Sequence, residues 1–236
     1  MKTIKRTMKK LVSSIIIVTI LFIAPGCSSD DDLPEAYPSD YLNYETQTAL
    51  ELPFNDEWFV FWGGRSVSEN YHAAFREQRF ALDIVQRING SSHSGNGSQN
   101  EDYYCFGKRL NAPGDGKIIT VINDVYDNAP GQFNADTPTG NLVIIDHENG
   151  EFSLLAHFKE GSIIVSVGDI VVKGQELGKA GNSGNSSEPH LHYHLQTTGD
   201  PFNGNGLPAQ FQNYYANKVF VNRGEPVQNE YVINDN

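Results

Sequence analysis

The sequence predicts an all-β protein built around a large antiparallel sheet, and three observations carry that expectation. Short runs rich in aromatic and β-branched residues recur, among them Trp58-Phe59-Val60-Phe61-Trp62, Asn141–His147 and Leu191–Leu195. Turn residues separate these runs at close intervals, with Asn149-Gly150 the strongest hairpin signal. No amphipathic helix longer than a few turns is visible.

The chain begins with Lys2, Lys5, Arg6, Lys9 and Lys10, then runs uncharged from Leu11 to Ile23. A basic start and an apolar segment too short to span a bilayer comfortably read as an export signal. Ala24-Pro25-Gly26-Cys27 follows, and a small residue before a Cys at this place resembles a bacterial lipobox. The resemblance implies a lipoprotein signal peptide over 1–26, cut before Cys27, with a lipid anchor on Cys27. Cleavage without acylation is the alternative, since Ala24 stands where that motif usually has Leu. Pro25 and Gly26 argue against an uncleaved anchor helix. Residues 27–50 are polar and acidic, with Asp30-Asp31-Asp32, and read as a tether or as a sorting signal. The domain is expected over 51–236, with its core at 70–196.

Five of the 17 basic residues and none of the 29 acidic ones precede Cys27. The remainder therefore carries 12 basic against 29 acidic residues, a formal charge of −17. Such a surface repels nucleic acid, and neither a basic groove nor a phosphate-binding glycine motif is present. The two cysteines are Cys27 and Cys105, so with Cys27 acylated no disulfide framework holds the fold.

Past the tether, Trp58–Trp62 and Gln78–Val85 read as strands, the second with Asp83 on the polar side of an apolar run. A carboxylate there needs a metal or a cationic partner, and Arg79 and Arg87 are the candidates for an ordinary ion pair. Ile88–Asp102 is rich in Gly, Ser and Asn and reads as a surface loop carrying His93. A strand at Ile118–Val121 precedes a second loop over Asp127–Pro138. The hairpin at Asn149-Gly150 joins Gly140–His147 to Glu151–Phe158, which puts His147 beside the turn, exposed, and His157 at the far end. Short strands are expected at Gly161–Val165 and within Val167–Gly178, and a tail strand near Lys218–Val221.

The chemistry is concentrated in Glu188-Pro189-His190-Leu191-His192-Tyr193-His194-Leu195. In an extended strand, alternate side chains share a face roughly 7 Å apart. His190, His192 and His194 would therefore project together, opposite Leu191, Tyr193 and Leu195. Catalytic zinc takes about three protein ligands and leaves one position for water. His72, Asp83 and one histidine of this strand would supply such a set, with His157 and another strand histidine beside it. Spacing does not say which strand histidine binds.

Asn141–His157, the Val-x-x-Gly-Asp-x-Val-x-x-Gly-Gln-x-Leu-Gly stretch ending at Gly178, and Pro189-His190-Leu191-His192 resemble the lysostaphin-type zinc metallopeptidases, peptidase family M23. The resemblance covers roughly Asn70 to Leu195. It implies an antiparallel sheet with a narrow groove, walled by the loops Gly90–Glu101 and Asp127–Thr139. It implies Zn2+ held by His72, Asp83 and His192, with His157 and His190 as the catalytic pair. The family's first ligand usually lies four residues before the Asp, where this chain has Arg79. His72, eleven before it, would return through a looped insertion, and His93 is the substitute. His194 falls where the family commonly has Glu and is expected to support the site or the fold. The expected activity is hydrolysis of peptide cross-links in bacterial peptidoglycan, in the cell envelope beside a membrane. The alternatives are a non-catalytic wall-binding or amidase-activating module of the same fold, and a lipoyl- or biotin-carrier domain. The carrier reading lacks its motif, because both methionines, Met1 and Met8, lie in the signal.

Overall fold

The computed structural model describes residues 33–235, so the signal segment and Cys27 lie outside the described residues. The strands are β1 (Trp58–Trp62), β2 (Leu82–Val85), β3 (Arg109–Asn111), β4 (Gly116–Ile122), β5 (Asn141–Asp146), β6 (Phe152–Phe158), β7 (Ile170–Val171), β8 (Glu176–Lys179), β9 (Leu191–Gln196), β10 (Gly206–Leu207), β11 (Phe211–Ala216), β12 (Val219–Gly224) and β13 (Tyr231–Asn234). Helix among the described residues amounts to two 3-10 turns, Tyr71–Ala74 and Asn100–Asp102. The expectation of an all-β antiparallel fold is borne out.

The main sheet runs β12-β11-β13-β1-β2-β9-β6-β5-β4-β7, with β10 added beside β9, and β3 and β8 form a separate pair. Neighbouring strands throughout the main sheet are antiparallel. The β5–β6 hairpin closes at Asn149-Gly150 as expected, with Gly150 at φ +85°. Period-two alternation divides the sheet. One face buries Val60, Leu82, Ile84, Val143, Leu155, Leu191, Tyr193 and Leu195 in the main core, closed by Leu110 of β3 and Leu177 of β8. The opposite face carries Asp83, His192 and His194, and beside them a smaller apolar cluster of Leu142, Ile144, Leu154 and Ala156. Burying each large apolar side chain contributes about 1.5–3 kcal/mol, so register is strongly specified on both faces.

Several expected boundaries shift. The strand read over Gln78–Val85 is confined to β2, because the Ala81 amide donates to the Gln78 carbonyl and closes a turn. Gly161–Val165 is not a strand. The Ile163 amide donates to the Asn123 side chain and only Ile164 bonds across to Leu177, so no ladder forms. The expected tail strand is three strands, β11 to β13. Lys218 belongs to the tight Asn217-Lys218 turn, where both residues have positive φ. Within the span read as tether, Tyr44, Gln47 and Thr48 all donate to the buried Glu151 carboxylate, and Leu50 enters the core. Cys105 is free and buried. Among the described residues no helix is long and apolar enough to cross a membrane.

Two glycines bring the loop before β9 against the start of β5. A Cβ on Gly184 (φ +82°) would stand 2.3 Å from the Gly140 nitrogen. Gly131 has nearly the same φ, +84°, with nothing within 4 Å. Gly184→Ala is expected to lower stability by roughly 2–3 kcal/mol in urea unfolding, against about 1 kcal/mol for Gly131→Ala. Equal losses would show that backbone conformation alone matters at both positions.

Candidate metal centre

β2 and β9 are paired with Asp83 opposite His192. Directly opposed side chains on one face lie about 4.5–5.5 Å apart at Cβ, so the register itself brings carboxylate and imidazole together. His192 Nδ1 stands 2.9 Å from Asp83 Oδ1. The other carboxylate oxygen, Oδ2, is 3.0 Å from His72 Nε2.

His72 arrives by a different route. Asn70 caps the 3-10 turn through Oδ1, which accepts from the His72 amide, while its Nδ2 donates to the Ala81 carbonyl just before β2. The Tyr37 amide donates to the Ala73 carbonyl, and Arg79 Nε donates to the Tyr37 carbonyl. The turn is thus held from both sides, and Ala73–Gln78 makes the excursion that separates His72 from Asp83. Arg79 and Arg87 do not pair with Asp83; the Arg87 guanidinium lies 4.0 Å from the Phe59 ring centroid.

His157 reaches the site through a bulge. Asn141 pairs with Phe158 and Leu142 with Ala156, so His157 is the extra residue in β6. It takes φ +63°, in the left-handed region that side chains avoid. The bulge sends Phe158 into the main core and leaves His157 on the face that carries His192. His157 Nδ1 lies 2.7 Å from the Ser183 carbonyl, and His190 Nδ1 lies 2.8 Å from the Glu188 carbonyl. A carbonyl only accepts, so each Nδ1 carries a proton, and in the neutral ring the lone pair is on Nε2. The two rings are 4.7 Å apart, and His190 Nε2 is 3.6 Å from Asp83 Oδ1.

The Gly181–Ser187 loop that supplies the Ser183 carbonyl is largely buried despite its polar composition. Its backbone is satisfied by side chains. Asn128 Nδ2 donates to the carbonyls of Gly184 and Ser186, and Asp127 Oδ1 accepts from the Asn182 amide. Asn100 Nδ2 donates to the Asn128 carbonyl. The two loops expected to wall the groove are therefore tied to each other and to this loop.

One donor atom each from His72, Asp83 and His192 lies within 4.8 Å of the others, and all three residues are buried. Two imidazole nitrogens and one carboxylate fit zinc, with a fourth position left over. His190 and His157 stand beside this set. His194 extends it behind His192, with Nδ1 3.0 Å from His192 Nε2. His93 lies elsewhere, against Tyr103. His147 is half-buried rather than exposed as expected. Nδ1 donates to the Asp115 carbonyl, and Nε2 is 2.8 Å from Ser153 Oγ, which explains the difference. Ser183, Glu188 and Asn128 had no signal in the sequence beyond their place in Gly- and Asn-rich loops.

Burial pushes the Asp83 carboxyl up, but the imidazoles of His72, His190 and His192 packed around it outweigh this and hold it well below the ordinary carboxylate value. Burial holds the imidazoles of His157, His192 and His194 below the usual 6.5. Between 6.5 and those lowered values the unfolded chain binds protons that the folded chain does not, so stability rises with pH across that window. The Asp83 contribution is likewise lost on acidification. With chelator present, the urea midpoint is expected to fall from pH 7.5 to 5.5 as the unfolding free energy drops by up to about 1.4 kcal/mol per pH unit per histidine below pH 6.5. A midpoint flat over this range would contradict the buried neutral imidazoles.

Residues 101–204 match the model of peptidase family M23. The match takes in His157, His190 and His192 and begins after His72 and Asp83. The chain is 34% identical over 90 residues to the peptidoglycan DD-endopeptidase ShyA of Vibrio cholerae, covering 38% of this chain and 18% of that protein. It is 39% identical over 64 residues to the DD-carboxypeptidase/endopeptidase Mpg of Neisseria meningitidis, covering 27% and 14%. The matched segments thus span less than a fifth of these relatives. Among solved structures, the deep-sea M23 metalloprotease pseudoalterin is similar at 17% identity with a TM-score of 0.43, over 73% of this chain and 83% of that one. A zinc-containing peptidase from Vibrio cholerae is similar at 22% identity and a TM-score of 0.40, over 62% and 36%. The family's segment runs through the bulged histidine and the histidines at the start of β9, so over residues 101–204 the chain resembles peptidase family M23.

Proposed function

We propose that this chain is a zinc-dependent endopeptidase that hydrolyses peptide cross-links of bacterial peptidoglycan. The observation that carries the reading is the buried Asp83 carboxylate, with His72 and His192 on its two oxygens and two further imidazoles alongside. The names of the relatives supply the substrate class. His72 Nε2, an Asp83 oxygen and His192 Nδ1 would hold the ion. When bound, zinc supplies Lewis-acid polarisation of a carbonyl and a water that deprotonates near neutral pH.

The chain's own groups supply the rest. His157 and His190 both present Nε2 lone pairs held in place by backbone carbonyls. Either accepts a proton from the attacking water and, once protonated, donates toward the departing amine or the oxyanion. His157 stays unprotonated through burial and its neighbours His190 and His192, so it is ready as a base at neutral pH. Asp83 stays ionised and gives the ion one compensating negative charge.

In the same reading, residues 1–26 are a lipoprotein signal peptide and Cys27 carries the lipid anchor. The tether runs from Cys27 to where the chain docks on the domain, and the residues from Tyr44 to Leu50 belong with 51–236 to the peptidase domain. This places the enzyme in the cell envelope, held to a membrane beside its substrate.

The mature protein and its His192→Ala variant are incubated with purified peptidoglycan, and zinc is measured in both. The wild type is expected to hold one zinc per chain and release new amino groups, and the variant to lose both. Zinc-loaded wild type that releases none would remove the enzyme and leave a binding module. His157→Ala is expected to keep its zinc and lose about 10²–10⁴-fold in rate. Loss of zinc in that variant would place His157 among the ligands instead.

A further inference from the structure

His192 and His72 both face Asp83, but only His192 has its outer nitrogen engaged. His72 Nδ1 is buried without a partner among the described residues. His192 Nε2, by contrast, begins a chain of hydrogen bonds running through buried side chains of β9.

The chain is best read from its far end. Gln196 is fully buried, and its Nε2 donates to the carbonyls of Thr198, at 2.8 Å, and Asp200, at 3.1 Å. Turning the amide over would set its oxygen against two carbonyl oxygens, so the orientation is fixed. Gln196 Oε1 then faces His194 Nε2 at 3.2 Å, and an acceptor there requires the proton on His194 Nε2. A buried neutral imidazole carries one ring proton, so His194 Nδ1 is a lone pair. That lone pair faces His192 Nε2 at 3.0 Å and requires the proton there. His192 Nδ1 is left bare, 2.9 Å from a carboxylate oxygen. Two acceptors at that separation repel, and a cation between them converts the repulsion into coordination.

We propose that His194, seated by Gln196, is a positioning residue that imposes the Nε2–H tautomer on His192 and thereby aims its Nδ1 lone pair at a metal ion shared with Asp83. The proposal rests on the reading of His192 as a metal ligand. It assigns a role to a residue that touches neither metal nor substrate. The information travels from two backbone carbonyls, through an amide and an imidazole, to the ligand atom. Partners of this kind are worth about 10–100-fold in metal affinity.

Two variants separate this role from mere packing. Asn places its amide oxygen where His194 has Nδ1, keeping an acceptor for His192. Gln places its amide at the position of Nε2, keeping the contact to Gln196 and losing the acceptor. Zinc affinity is measured by competition with a chelator for the wild type, His194→Asn and His194→Gln, each first shown to be folded by circular dichroism. Long-range proton–nitrogen correlation spectra of the imidazoles report which His192 nitrogen bears hydrogen. The expected result is affinity within about threefold of wild type for Asn and a loss of about 10–100-fold for Gln, with the His192 proton on Nε2 in the wild type. Equal affinities for the two variants, or a His192 proton on Nδ1, overturns the proposal while leaving the enzyme reading intact. Wild type that binds no zinc yet shows the proton on Nε2 supports the tautomer lock and overturns the metal reading beneath it.

Discussion

The whole arrangement depends on one carboxylate buried on the face of a sheet. Asp83 sits in β2 between Leu82 and Ile84, which both point into the main core. Its own side chain is therefore turned to the opposite face with no freedom to leave. Removing the partners of a buried charge costs of order 3–5 kcal/mol, which dwarfs any single surface interaction. Imidazoles surround it: His192 from the paired strand, His72 from the 3-10 turn and His190 from the entry to β9. The same buried charge that needs compensation without an ion is the charge that lets an ion bind.

Precision around that carboxylate comes from irregular backbone. The bulge at His157 holds a histidine in left-handed conformation, a strain of about 1–3 kcal/mol that regular pairing on either side sustains. Its ring is then fixed by the Ser183 carbonyl, from a loop buried against Gly140 and braced by Asn128 and Asp127. Rigid sheet, strained bulge and polar loop thus divide the work: the sheet sets the ligands, the bulge aims the base, and the loop fixes its tautomer.

Much of this was legible in the sequence, and what was not has identifiable causes. Alternation with period two placed His192 and His194 on one face, and Asn149-Gly150 announced the hairpin. His72 could be grouped with Asp83 only as a suitable ligand type, because an excursion of several residues carries no periodic signal and the family's usual spacing falls on Arg79. The bulge was invisible, since a bulged strand and a regular one share the same composition. His157 read simply as the end of a strand, and nothing foretold that Phe158 would take its place in the core. The burial of Gly181–Ser187 left no signal, because composition reports polarity, not whether Asn128 waits to satisfy it. The same limit hid the fixed surroundings of His147 and the two extra tail strands, β13 pairing with β1 more than 150 residues earlier and β11 pairing with β13.

The account comes down to where a metal ion sits. Diffraction from crystals of the zinc-loaded protein, collected on both sides of the zinc absorption edge, locates it directly. The account predicts one anomalous peak at about 2.0–2.2 Å from His72 Nε2, His192 Nδ1 and an Asp83 oxygen. A peak elsewhere, or none at full zinc loading, would contradict it.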